Sequence, residues 1–74
     1  MTFKHDGYYA DGSLVVYGYD DYKSKVAIFR GFVDYRRNVV TLYPKVCFIP
    51  TKENIGKLKI SISELSRQTR LHTI

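Results

Sequence analysis

Nowhere in this sequence does an apolar stripe with a 3.6-residue period persist for three helical turns. Apolar side chains fall instead on alternate positions of short runs, punctuated by Gly, Pro, Asn and Asp. That is the pattern of half-buried strands joined by tight turns. It removes helical bundles from consideration and leaves a mainly β chain. The clearest run is Lys57 to Ile62, where Leu58, Ile60 and Ile62 alternate with Lys57, Lys59 and Ser61. The aliphatic set belongs to a core, and the lysines belong to solvent.

The other strands follow from their punctuation. Asp11-Gly12 supplies the positive φ angles of a hairpin turn, so the residues before Phe29 read as a β-hairpin, with a strand from Ser13 to Tyr19 after the turn. Val26 to Tyr35 is the longest β-rich run. Its faces are Ala27, Phe29, Gly31, Val33, Tyr35 and Ile28, Arg30, Phe32, Asp34. The second face carries two charges, so the first is expected to point inward. Arg36-Arg37-Asn38 forms the next turn, with Asn38 able to adopt a left-handed conformation. Val39 to Tyr43 returns, Pro44 is expected to end it, and Val46 to Ile49 is a short apolar piece before the loop at Pro50. Ser63 is placed to cap one helical turn from Glu64, and the remainder, Arg67 to Ile74, could close a sheet as a last strand.

Five or six short strands in 74 residues suit a meander barrel better than a two-sheet sandwich, which usually needs about 100 residues. The expected fold is therefore a single domain over residues 1–74: a small five- or six-stranded antiparallel barrel, SH3-like or Sm-like in architecture, with at most one short C-terminal helical turn. Hydrophobic residues are 45% and aromatics 15% of the chain. That content argues for a packed core rather than disorder. Seven Tyr and four Phe supply much of the area such a core needs, since each ring buries about 150–250 Å².

The stretch Arg30-Gly31-Phe32-Val33-Asp34-Tyr35 resembles the aromatic RNA-contacting strand of RNA-recognition domains. The likeness fails on detail. A small residue and a second Phe should separate the first aromatic from the Val, and a strand–helix–strand should precede it. Here Val33 follows Phe32 directly, and the preceding residues read as a hairpin without a helix.

Charge gives the better functional lead. The net charge is +5, with pI near 9.5. Residues 1–22 hold one lysine against four aspartates, and residues 23–74 hold eleven Lys and Arg against three acids. The balances are −3 and +8. A basic, aromatic remainder points to a polyanion. The first expectation is thus a non-enzymatic nucleic-acid-binding domain, with Arg30, Arg36, Arg37, Lys45, Lys57 and Lys59 holding phosphates and Phe32 and Tyr43 stacking on bases.

The second expectation comes from the acidic, Tyr-rich start. Tyr8, Tyr9, Asp11, Tyr17, Tyr19, Asp20, Asp21 and Tyr22 would form a face for one protein target. Such a chain would be a compact regulator or inhibitor of the kind phages and mobile elements encode, acting through this face or an open strand edge. Self-association is a third outcome, because a small core can be completed by a dimer.

Little supports catalysis. Cys47 lies in an apolar run, His5 and His72 lie near the ends, and Asp20 and Asp21 are adjacent rather than paired across a site. No phosphate-cradling Gly loop or metal-ligand spacing occurs, so no cofactor is expected. A lone cysteine suits a reducing compartment, and no apolar run reaches about 18 residues. A cytoplasmic, non-membrane protein is the expectation.

Overall fold

A computed structural model describes residues 2–19, 26–47 and 56–69. Strands β1 (Thr2–Tyr8), β2 (Leu14–Tyr19), β3 (Val26–Asp34), β4 (Val39–Cys47) and β5 (Leu58–Ser61) are followed by one helix, α1 (Ile62–Thr69). The five strands form one antiparallel meander in chain order, curled into a half-barrel. Among the described residues β1 and β5 do not pair with each other. The expected barrel is therefore open, and α1 lies against both β1 and β5. Its Gln68 side chain accepts a hydrogen bond from the Phe3 backbone N–H at 2.8 Å. A helix side chain thus satisfies an edge amide that a closing strand would take.

The concave side holds the core. Leu14 and Val16 from β2, Ala27 and Phe29 from β3, Val40 and Leu42 from β4, and Leu65 from α1 are buried together. Phe3 meets Phe29 edge-on, with ring centroids 6.0 Å apart. Val33, Leu58, Ile60 and Ile62 pack around this cluster, half-buried, so the alternation read from the sequence faces the way it predicts.

Three local expectations are corrected. Pro44 does not end its strand. β4 runs through it to Cys47, and the register slips so that Ile28 faces Val46 while Phe29 faces Pro44. Lys45 is the extra residue of that bulge, and pairing with β5 has already stopped at Leu42. A proline is tolerated at such a position, because bulges and edge segments spare the missing N–H.

Tyr35 lies on the core side but is not buried. β3 ends at Asp34, the Tyr35 carbonyl accepts from the Asn38 N–H in the turn, and the residue is 82% exposed. The turn matches expectation at Asn38, whose φ is 55°.

The helix is also longer than one turn and is capped elsewhere. Ser61 Oγ accepts from the Glu64 N–H at 3.0 Å, which places the cap two residues before Ser63. Ser63 instead accepts from the Asn38 side-chain amide at 3.0 Å. The Asn38 carbonyl takes the Ile62 N–H at 3.0 Å. The β3–β4 turn therefore anchors the helix start. The expected final strand falls partly on α1, which holds Arg67 to Thr69, and residues 70–74 lie outside the described residues.

Candidate nucleic-acid interface

Strand alternation that buries Phe29 and Gly31 must turn Arg30 and Phe32 to the convex face. The register sets their neighbours. Arg30 lies opposite Val15 of β2 and Tyr43 of β4, and Phe32 lies opposite Thr41, which in turn faces Lys59 of β5. Adjacent strands are about 4.8 Å apart, so these residues form one continuous outer surface. Phe32 is 46% exposed and Tyr43 44%. Their rings meet at 80° with centroids 5.5 Å apart, so each keeps part of its surface open.

Arg30 is the centre of this surface. Its guanidinium lies 4.8 Å from the Tyr9 ring centroid and 5.6 Å from that of Phe32. Lys45 Nζ sits 4.6 Å from the Tyr9 ring on the same patch. Contacts of this kind hold a cation over an aromatic face. Arg30 Nε donates to Ser13 Oγ at 2.9 Å, and Nη2 is ion-paired with Asp11.

The β1–β2 loop delivers Asp11. The Gly12 N–H bonds the Tyr9 carbonyl at 2.9 Å and the Tyr9 N–H bonds the Ser13 carbonyl at 2.7 Å. Gly12 takes φ 88°, as the Asp-Gly pair implied. Asp11 Oδ1 then accepts from the Ser13 N–H at 2.9 Å and from Ser13 Oγ at 2.6 Å. These two bonds, more than Arg30, hold the Asp11 carboxyl below its ordinary 3.8.

The expected site residues separate accordingly. Arg30, Phe32, Tyr43 and Lys45 share the patch, and Lys59 borders it through Thr41. Lys57 immediately precedes β5 and is exposed. Arg36 and Arg37 do not join it by any described contact. They sit in the β3–β4 turn, where Asp34 Oδ1 accepts their backbone N–H groups and Arg37 Nη1 donates to Asp34 Oδ2 at 3.1 Å. Tyr9 and Asp11, expected on a separate protein-binding face, belong to the Arg30 patch instead. Tyr17 and Tyr19 are half-buried on β2, and the charge and hydrogen bond of Asp6 push the Tyr17 hydroxyl above its ordinary 10.0. Tyr8 is exposed and lies away from this cluster, edge-on to His5 with centroids 5.1 Å apart. Asp20, Asp21 and Tyr22 lie outside the described residues, as does His72.

Ser13 escapes a reading of the sequence. A hydroxyl two residues after a turn Asp carries little signal alone. Pairing Tyr19 with Val26 would have placed Val15 opposite Arg30, and hence Ser13 nearby.

On the concave side, a hollow of about 200 Å³ is bordered by His5, Tyr8, Tyr35, Val33, Leu65 and Ser66. It falls below the ~300 Å³ at which small-molecule pockets begin. His5 Nε2 is buried there without a hydrogen-bond partner among the described residues. No cluster of His, Cys, Asp and Glu among the described residues could hold a metal ion, and no described helix is long and apolar enough to cross a membrane. Comparisons with protein-family models, curated proteins and solved structures gave no match.

Proposed function

We propose that this chain binds single-stranded nucleic acid on the convex face of its sheet. The observation carrying this reading is the half-exposed Phe32–Tyr43 pair beside Arg30 and Lys45. Each ring would offer a face to a base; Lys45 at the Tyr9 ring, Lys59 across Thr41 from Phe32 and exposed Lys57 just before β5 would supply charge for phosphates. Stacking of this sort needs unpaired bases, because a duplex buries their faces. Bases are gripped by π-surface and phosphates by charge, so little sequence is read directly.

The test is fluorescence anisotropy with labelled single- and double-stranded DNA and RNA, at about 50 and 200 mM salt. Single strands should bind in preference to duplex. Phe32→Ala and Tyr43→Ala should each weaken binding about 5- to 150-fold, the equivalent of ~1–3 kcal/mol per stacked base. Lys57→Ala and Lys59→Ala should flatten the salt dependence, by about 0.7 in log–log slope for each phosphate no longer neutralised. Absent binding sinks the proposal. So does form-blind binding that disappears at the higher salt and ignores both rings.

A protein-binding regulator is the second reading, and one observation favours it. β4 continues to Cys47 after β5 pairing stops at Leu42, so residues 43–47 have only β3 beside them among the described strands. An incoming strand could add there, next to exposed Val46.

A further inference from the structure

The Asp11 carboxylate sits in a donor set that would serve a phosphate equally well. It accepts from a backbone N–H, from a hydroxyl and from a guanidinium, namely those of Ser13, Ser13 and Arg30. Charge-assisted donors converging in this way are how proteins hold oxyanions. The set lies at the centre of the aromatic patch, with Arg30 flanked by Tyr9 and Phe32 and with Lys45 also against the Tyr9 ring. Both partners are only half-covered, with side chains 41% and 49% exposed for Arg30 and Asp11. The loop that carries Asp11 is closed by its own backbone bonds between Tyr9, Gly12 and Ser13. Rotation of one side chain would therefore free the donors without opening the loop.

We infer that Arg30 and Ser13 form an oxyanion site for a backbone phosphate of the ligand, and that Asp11 fills this site in the free chain as an internal competitor. The inference rests on the nucleic-acid reading and adds a regulator to it. Binding to this site exchanges one anion for another, so in the wild type Arg30 contributes little net affinity and little salt dependence. Removing the carboxylate's charge exposes both.

Asp11→Asn is the informative change, because the amide oxygen can still accept from Ser13 and so preserve the turn. Exposed ion pairs of this kind are weak. The variant should therefore bind a labelled single-stranded oligonucleotide only about two- to five-fold more tightly. Its salt slope should steepen by about 0.7, the value for one added phosphate contact. Asp11→Asn/Arg30→Gln should lose both gains. Unchanged or weaker binding by Asp11→Asn, at an unchanged thermal midpoint, overturns the inference. If the midpoint falls, Asp11→Ser, which keeps a turn-forming oxygen, replaces it under the same criteria.

A second readout separates this idea from the proposed function. Inorganic phosphate is titrated while the Arg30 Nε–H signal is followed by NMR. A larger response in Asp11→Asn than in the wild type supports the oxyanion site even where no oligonucleotide binds. Equal responses, or none, overturn it.

Discussion

Two phenylalanines three positions apart provide the sharpest test of the fold and of the free face together. Phe29 is 0% exposed and Phe32 is 46% exposed, on the same strand but on opposite sides of the sheet. A fully buried Phe removes about 150–250 Å² from water, or ~4–6 kcal/mol at 25 cal/mol per Å², and that figure is an upper bound. Truncation of such a ring to Ala costs about 3–5 kcal/mol once the cavity is counted. Phe29→Ala also loses the edge contact with Phe3. Phe32 has about half its area to lose and leaves no enclosed cavity, so Phe32→Ala should cost ~1–3 kcal/mol. Urea unfolding measures both as shifts in midpoint at constant slope. A chain of this length has about 4–11 kcal/mol in total, so Phe29→Leu is the fallback if the Ala variant does not fold. A loss at Phe32 comparable to that at Phe29 would mean that something covers the ring, and the convex face could not be a binding surface.

Two further expectations concern the helix and the outer tyrosines. Ser61→Ala removes the acceptor for the Glu64 N–H. It should cost about 0.5–2 kcal/mol in urea unfolding, whereas Ser63→Ala, which loses exposed bonding to the Asn38 side chain, should cost clearly less. Tyr17 should ionise above its ordinary 10.0 in a site-resolved NMR pH titration of the folded chain, and Asp6→Asn should bring it down, because the Asp6 charge and hydrogen bond oppose the phenolate. Its folded value is raised, so the corresponding stability is complete below the unfolded value of 10.0 and is lost as pH climbs beyond it; a Tyr17 titration that Asp6→Asn leaves unmoved refutes the contact.

What the sequence disclosed was whatever is decided within a few residues. Alternation put Ala27, Phe29 and Gly31 inside, Asp11-Gly12 and Asn38 marked the turns, and all of these hold in the structure. What it hid depends on partners far along the chain. Helix α1 is eight residues long yet carries no sustained apolar period. Its support comes from Leu65 under the sheet, Asn38 at its start and Gln68 on the β1 edge. Isolated helices of this length are marginal, and tertiary packing supplies the rest. Pro44 misled for a related reason, since only the slipped β3–β4 register and the early end of β5 pairing give it a tolerable place.

Charge counted along the chain could not say which residues meet in space. It set an acidic first segment against a basic remainder and implied two faces. The antiparallel meander instead folds the β1–β2 loop onto β3, so Asp11 meets Arg30 across nineteen positions and Tyr9 lies between Arg30 and Lys45. The middle of the proposed interface is thus aromatic and nearly neutral, while lysines stand around it. Uniform positive charge would attract any polyanion and lose it at moderate salt. On the proposed reading, separating the two duties would give a different response: stacking at Phe32 and Tyr43 would survive salt, and only the surrounding lysines would be screened. Ring variants should therefore shift affinity by a constant factor across salt, lysine variants should change the slope, and Asp11 variants should shift the balance between them. A protein ligand on the same face would be sensitive to the rings, yet Asp11→Asn would add no phosphate-dependent slope for Arg30→Gln to reverse. The same small set of variants consequently discriminates the two readings, whatever the partner proves to be.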